Sequence, residues 1–164
     1  MKNRNKIFAA ILAVTACFVL SPGAQALSPA PDGCYPGFTT AEGCNALGGL
    51  TTGAGNTGVG WFALFSAGAG NFNTGIGGGA LVLNTADSNT AVGAAALLLN
   101  TTGANNTAVG TDALVFNDDG FNNTAVGFFA LENNTSSGNT GLGASALASN
   151  TTRYFQYSRR RRHA

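Results

Sequence analysis

The sequence is organised around Asn106-Thr107-Ala108-Val109-Gly110-Thr111-Asp112-Ala113-Leu114, a stretch that recurs along most of the chain. Each copy reads Asn-Thr, then Gly or Ala, then Val, Ile or Leu, then Gly, two variable residues, and Ala-Leu. Successive copies lie 17, 16, 17, 17 and 16 residues apart, and they begin at Asn56, Asn73, Asn89, Asn106, Asn123 and Asn139. A worn copy lies upstream, with Thr39 in place of the opening Asn. Such a period is typical of a solenoid, in which each coil buries its apolar side against its neighbours.

The residues within one copy favour strand over helix. A Thr and an aliphatic, mostly β-branched residue flank a small residue, and the Gly that follows ends the strand. A helix would have poor intrinsic propensity here. The sequence therefore predicts an all-β fold, a single-stack parallel β-solenoid of about seven coils of 16–17 residues, over residues 39–152. Each coil is predicted to contain a first strand over Thr-Ala-Val, a Gly turn, a second strand from Ala-Leu onward, and an Asn-Thr-x-Gly loop.

Two apolar stripes and one polar stripe follow from stacking the copies in register. The apolar stripes are predicted to form the structural core: Val59, Ile76, Val92, Val109, Val126 and Leu142, with Leu64, Leu81, Leu97, Leu114, Leu131 and Leu147. The six opening Asn residues, Asn56 to Asn139, are predicted to stack as a hydrogen-bonded Asn ladder. The alternative is that the Asn stripe and the neighbouring Thr stripe form a surface that faces a ligand.

Apolar residues exceed what one thin coil would bury. Phe65, Leu83 and Phe116 follow the Ala-Leu pairs, and Trp61 and Phe128 add aromatic bulk at the variable positions. Apolar side chains left outside the coil imply burial against another chain or a sticky patch. The sequence therefore predicts a homo-oligomer.

The charge distribution excludes several partners. Only 9% of the residues are charged, and no Lys or Arg lies between Leu27 and Thr152, which holds all seven acidic residues. The repeat body thus has a formal charge of −7. A body of that sign repels phosphates and anionic lipids, so we expect no nucleic acid partner and no membrane insertion of the repeats.

The first 26 residues have the pattern of an export signal. Lys2, Arg4 and Lys6 precede an apolar run, and Ala24-Gln25-Ala26 is a small-x-small cleavage site. The alternative is a lipobox that ends at Cys17. A Pro- and Gly-rich lead-in then occupies residues 27–38. We expect export to the outside or the cell surface of a bacterium.

Export makes a disulfide between Cys34 and Cys44 permissible. Their ten-residue separation is compatible with a bridge, but spacing alone leaves open whether the two thiols pair. Metal binding is less favoured, since the only His is His163. The Asn117-Asp118-Asp119-Gly120 loop is weak evidence for Ca²⁺. Because no nucleophile, base and acid recur together, we expect no enzyme activity and no cofactor.

The Asn-Thr-Ala-Val-Gly-x-x-Ala-Leu unit resembles the head repeat of trimeric autotransporter adhesins of the YadA-like type, and similar repeats of exported bacterial proteins. The resemblance covers residues 39–152. It implies a left-handed parallel β-roll, three chains side by side, and display outside the cell. The period here is longer than the usual head repeat.

The last residues depart from the repeat. The next Asn is due at position 156, where the chain has Gln156, and Arg159 to Arg162 follow. We expect residues 153–164 to be an off-pattern basic tail produced by a frameshift, with a solvated tail as the plainer alternative.

These observations predict a secreted or cell-surface repeat protein with a structural or adhesive role. Its rigid β-roll would present one face to a host surface, a matrix or a glycan. The alternative is an ice- or polysaccharide-binding solenoid that uses the Thr and Asn array, and a third reading is a truncated frame without function.

Overall fold

The computed structural model describes residues 37–151 and 155–159, which form one parallel β-solenoid without helix. Eight three-residue strands make a single sheet whose order follows the chain. Their bounds are β1 Thr40–Glu42, β2 Thr57–Val59, β3 Thr74–Ile76, β4 Thr90–Val92, β5 Thr107–Val109, β6 Thr124–Val126, β7 Thr140–Leu142 and β8 Tyr157–Arg159. At the usual spacing between strands, the eight span about 34 Å. The prediction of a parallel β-solenoid of about seven turns is confirmed.

The strands pair in the register that the repeat predicts. Thr107 lies beside Thr90 and Thr124, and Val109 lies beside Val92 and Val126. The backbone N–H of Thr107 donates to the carbonyl of Asn123 in the next coil (2.8 Å). Equivalent residues therefore form columns that run along the solenoid.

The predicted second strand over Ala-Leu is wrong, because consecutive turns occupy that side of the coil. The Leu of every described copy has a positive φ of 52–55°, which a β-strand does not allow. The turns still bond to their neighbours: the N–H of Leu97 donates to the carbonyl of Ala113 one coil on (3.0 Å). Inter-coil hydrogen bonds thus continue around the coil where the strand ladder stops.

The Gly after each strand makes the first of these turns. Gly110 has φ +133°, and a Cβ placed there would lie 2.6 Å from the carbonyl oxygen of Gly127 in the next coil. Backbone conformation and close approach both require a residue without a side chain. The predicted Gly turn is confirmed.

The core lies between the sheet and the turns. The predicted core residues Leu64, Leu81, Leu97, Leu114 and Leu131 are fully buried, and Leu147 is partly buried against the same cluster. Opposite them lies the small central residue of each strand: a Cβ placed on Gly75 would lie 3.1 Å from Cγ of Leu64. Burying one Leu side chain contributes about 1.5–3 kcal/mol. The Leu column therefore fills the interior against a column of Gly and Ala.

The prediction that the strand aliphatics form the core is wrong. Ile76, Val109 and Val126 are 39%, 37% and 39% exposed. The others, Val59, Val92 and Leu142, are half-buried. Successive strand residues point to opposite faces. Because the Asn before each strand and the small residue at its centre face inward, the Thr and the aliphatic residue face outward.

The coils differ in length at one corner only. From Asn84 to Asn89 the step is five residues, whereas from Asn100 to Asn106 it is six. Both pairs of Asn side chains are hydrogen-bonded across this corner. A 16-residue coil is therefore one residue shorter than a 17-residue coil at this corner. The columns on either side keep their register.

The tail continues the stack at the level of the backbone. Tyr157–Arg159 pairs in parallel with Thr140–Leu142, and the N–H of Thr140 donates to the carbonyl of Gln156 (2.6 Å). The N–H of Gln156 donates to Oδ1 of Asn139 (2.8 Å), as the ladder Asn would. Parallel pairing uses backbone groups, so it does not require the repeat sequence. The frameshift origin of residues 153–164 stays a prediction.

Several predictions fall outside the described residues. These are the export signal at residues 1–26, the lipobox at Cys17, Cys34 and most of the lead-in. Within residues 37–151 and 155–159, no helix is long and apolar enough to cross a membrane.

Candidate functional site

The six opening Asn side chains form the predicted ladder inside the solenoid, and their partners are backbone groups. Oδ1 of Asn106 accepts the N–H of Asn123 one coil on (2.9 Å), and its Nδ2 donates to the carbonyl of Gly120 (2.8 Å). The same Oδ1-to-N–H bond joins each successive pair of the first Asn column: Asn56, Asn73, Asn89, Asn106, Asn123 and Asn139. The ladder therefore extends the hydrogen bonding of the strand by one residue on its N-terminal side.

These Asn side chains are fully buried. A side chain without exposed surface does not touch a ligand on the outside of the coil. The alternative that the Asn stripe faces a ligand is therefore wrong, and the Thr column is the part of that array that reaches the surface.

A second Asn column was missed by sequence reasoning. It lies at the start of the segment that had been predicted only as an Asn-Thr-x-Gly loop, and its members are Asn84, Asn100, Asn117, Asn134 and Asn150. Nδ2 of Asn117 donates to Oδ1 of Asn100 (2.8 Å), and this Oδ1 also accepts Nδ2 of Asn106 (3.5 Å). The steps of 16 or 17 residues between its members were the available signal.

The two Asn columns satisfy the polar interior. Among the described residues, no buried side-chain N or O atom lacks a hydrogen-bond partner. A buried amide costs free energy unless it is hydrogen-bonded. Because these bonds form only when equivalent Asn residues lie side by side, the network favours the in-register stacking of the coils. The first coils do without the second column, since Leu50 and Ala67 take its place.

The outer face of the sheet carries two outward-facing, partly exposed columns, which we call the Thr–aliphatic face. One column is Thr57, Thr74, Thr90, Thr107, Thr124 and Thr140, and the other is Val59, Ile76, Val92, Val109, Val126 and Leu142. Neighbouring coils are about 4.8 Å apart, and the two columns are two residues apart along each strand, roughly 6.6 Å. Glu42 begins the aliphatic column in the first coil. The result is a regular surface with a column of hydroxyls beside a column of apolar groups.

The apolar residues after each Ala-Leu pair are less exposed than predicted. Val82, Leu99 and Val115 are buried, and Phe65 and Phe116 are half-buried. Phe62 is buried beside Trp61, with ring centroids 4.5 Å apart. Stacking along the solenoid covers most of this side. The exposed apolar surface lies instead on the sheet face and at isolated aromatic rings.

The candidate cysteine and metal residues are dispersed. Cys44 is exposed in the first coil, and its predicted partner Cys34 is not among the described residues, so the disulfide stays a prediction. Oδ1 of Asp118 accepts the hydroxyl of Thr101 (2.7 Å). Across residues 37–151 and 155–159, no group of three or more His, Cys, Asp or Glu lies close enough to hold a metal ion.

One carboxyl group has a perturbed environment. Asp112 lies in the turn after β5, where partial burial raises the pKa of its carboxyl above the ordinary value. The cause is loss of hydration, which disfavours the charged form. Its φ of 55° is one that Asp and Asn tolerate better than most residues.

The fold and the internal ladders place the protein in the class of parallel β-solenoid repeat proteins. A scan against protein-family models and searches of curated proteins and of solved structures found no match.

Proposed function

We propose that this protein is an exported, adhesin-like structural rod in which three copies of a left-handed β-roll pack along their long axes. The observation that carries the proposal is the aliphatic column of the Thr–aliphatic face, which runs unbroken over six coils while remaining half-exposed. The other sides of the rod would then meet a host surface, a matrix or a glycan.

The aliphatic column has the chemistry of an interface core. Six aliphatic side chains lie in one line over about 24 Å, five strand spacings. No charged residue interrupts the line between Val59 and Leu142. Interface cores are depleted of charge and enriched in apolar side chains. A closed ring of identical faces would bury the line, and the net charge of −7 would stay on the outer sides.

The rest of the molecule supports a mechanical role. The interior is fixed by repeated hydrogen bonds, and each coil touches only its neighbours, so the body is a stiff column. The predicted absence of enzyme activity and of a resident cofactor belongs to the same proposal.

Light scattering on the purified exported chain tests the assembly. We expect three times the chain mass for the unmodified protein and a monomer for the double variant V109D/V126D, because two buried carboxylates would face one another in the trimer. Thr111→Asp, on an exposed turn beside that face, is the matched control and should leave the trimer intact. A monomeric unmodified chain at micromolar concentration would overturn the trimer. Loss of binding to immobilised matrix proteins in V109D/V126D alone would support the adhesive role.

A second candidate function uses the Thr column. Six Thr residues stand in register on the exposed sheet face, and such an array is one way to order water at an ice surface. Thermal hysteresis that is present in the unmodified protein and lost in Thr107→Tyr would favour this candidate over the rod.

A further inference from the structure

Four exposed phenylalanines lie at one corner of the solenoid, just before the strand of their coil. Three of them precede the first strand residue by two positions and one by three. Phe38, Phe72, Phe121 and Phe155 are 96%, 68%, 51% and 85% exposed. We call this row the aromatic corner. It shares no residue with the Thr–aliphatic face.

Two of these rings are backed by glycine. A Cβ placed on Gly55 would lie 2.7 Å from Cδ1 of Phe72, and one placed on Gly138 would lie 2.8 Å from Cδ1 of Phe155. Each ring therefore covers the glycine of the preceding coil. One side of the ring is supported by the solenoid, and the ring is open to solvent on the other side.

The rings are spaced along the rod and do not form one patch. They lie in the coils of β1, β3, β6 and β8, so neighbouring rings are two, three and two strand spacings apart, roughly 10, 14 and 10 Å. In the four intervening coils, the position two residues before the strand is held by the exposed polar residues Ser88 and Asn105 or by Gly55 and Gly138. Protein interfaces have contiguous apolar cores, which this row does not provide. A linear polymer with a repeating apolar face fits the row better.

We propose that the aromatic corner binds a linear, neutral polysaccharide. The C–H groups on the flat side of a sugar ring carry partial positive charge and stack on the negative face of an aromatic ring. The spacing of the rings along the rod, two or three strand spacings, is on the scale of a disaccharide or a trisaccharide, so every second or third sugar would meet a ring. The amide of Asn105, in a coil between those of Phe72 and Phe121, and the amide of Asn122, next to Phe121, would bond to hydroxyl groups of the sugar. The polymer is neutral because the repeat body has a charge of −7, which repels acidic glycans.

The proposal goes beyond the rod and does not depend on its trimeric state. Electrophoresis of the exported chain through gels that contain soluble xyloglucan, with pull-down on amorphous cellulose, measures it directly. Phe72 and Phe121 lie well inside the described part of the chain, so they are the positions to change. We expect F72A/F121A to bind about tenfold more weakly, and Phe72→Tyr to bind as the unmodified chain does. Phe128→Ala, an exposed ring on another corner, is the matched control and should have no effect.

Two outcomes would overturn the proposal. One is that the unmodified chain is retained on neither xyloglucan nor cellulose. The other is that the unmodified chain and F72A/F121A are retained equally. Binding to hyaluronan that is as strong as binding to xyloglucan would overturn the neutral specificity. Circular dichroism and thermal melting of each variant establish that it is folded. The mass of the assembly and its retention on polysaccharide are measured separately. A monomer that binds xyloglucan would therefore contradict the proposed trimer and support the proposed glycan site.

Discussion

The buried Asn residues act as pieces of backbone. An amide side chain has the same donor and acceptor as a peptide group, and Asn106 uses them as a peptide would. Its Oδ1 accepts the N–H of Asn123 and its Nδ2 donates to the carbonyl of Gly120. No residue of similar size replaces both bonds, which explains why Asn recurs at this position in six successive coils.

Asn106→Ala is expected to destabilise the protein by about 1–3 kcal/mol, because the N–H of Asn123 loses its partner in the interior and the carbonyl of Gly120 keeps only Nδ2 of Asn117. Denaturant unfolding followed by circular dichroism measures the change. The matched control is the neighbouring Asn105→Gly. Asn105 is exposed with φ 59°, and glycine stands at the same place in other coils, at Gly55 and Gly138. A loss for Asn106→Ala no greater than that of the control would contradict the ladder as a source of stability.

Asp112→Asn is expected to raise the melting temperature at neutral pH. Burial raises the pKa of this carboxyl in the folded state, so the folded protein favours the protonated form. Its contribution to stability is complete below the ordinary Asp pKa and is lost as the pH rises through the raised pKa. Melting curves of the two proteins should converge in acid and separate near neutrality.

The control for this effect is Asp119→Asn, which removes one charge from an exposed position of the same coil. Equal gains for the two variants would mean that net charge, and not local burial, is responsible.

At the scale of the element, each coil has only three strand residues, and a glycine turn connects them to the rest. The turn glycines of neighbouring coils lie almost in contact, and their φ values of +108° to +137° suit no other residue. The sheet therefore keeps its register because one column of backbone has no room for side chains.

Gly110→Ala is expected to cost about 3 kcal/mol, from the strained φ and from a Cβ 2.6 Å from the carbonyl of Gly127. Gly78→Ala is the matched control. No atom lies within 4 Å of the Cβ it would add, and Ala94 and Ala144 already occupy that column. We expect its stability to stay within about 0.5 kcal/mol of the unmodified protein. Equal losses for both variants, measured by urea unfolding, would show that any side chain in the turn is harmful.

The repeat predicted the stack, the Thr-x-Val strands, the Gly turn, the Leu core and the first Asn column, because each of these depends on in-register stacking alone. It did not predict which side of the strand faces inward. Val109 looks like a core residue until Asn106 is known to be buried, and alternation then turns Val109 outward. The turns over Ala-Leu could not be predicted from the sequence either. A positive φ at Leu114 is contrary to the intrinsic preference of leucine and is imposed by packing against the neighbouring coils.

At the scale of the whole molecule, the solenoid behaves as a one-dimensional array. Strand n pairs only with strands n−1 and n+1, and both Asn columns connect adjacent coils. Stability is then approximately a sum over coils and their interfaces. The exposed aromatic rings and the Thr–aliphatic face lie on the surface of this array.

Deletion of residues 106–122, one complete coil, is expected to give a folded protein that is shorter by about 5 Å. Asn123 would then stack on Asn89, with every column preserved. Deletion of residues 106–114 removes half a coil, brings unlike positions into register and should abolish folding. X-ray scattering gives the length, and circular dichroism gives the folded content. Equal damage from both deletions would contradict a modular stack.

The corner between the second Asn column and the next strand accommodates different numbers of residues. The next Asn of the first column comes five positions after Asn84 and six positions after Asn100, yet the columns on both sides keep their register. The number of residues in this corner can therefore change while the stacking of the coils stays the same. A gene for this protein could gain or lose a codon there without a change of register. A foreign peptide inserted at this corner of several coils would be displayed at the regular spacing of those coils.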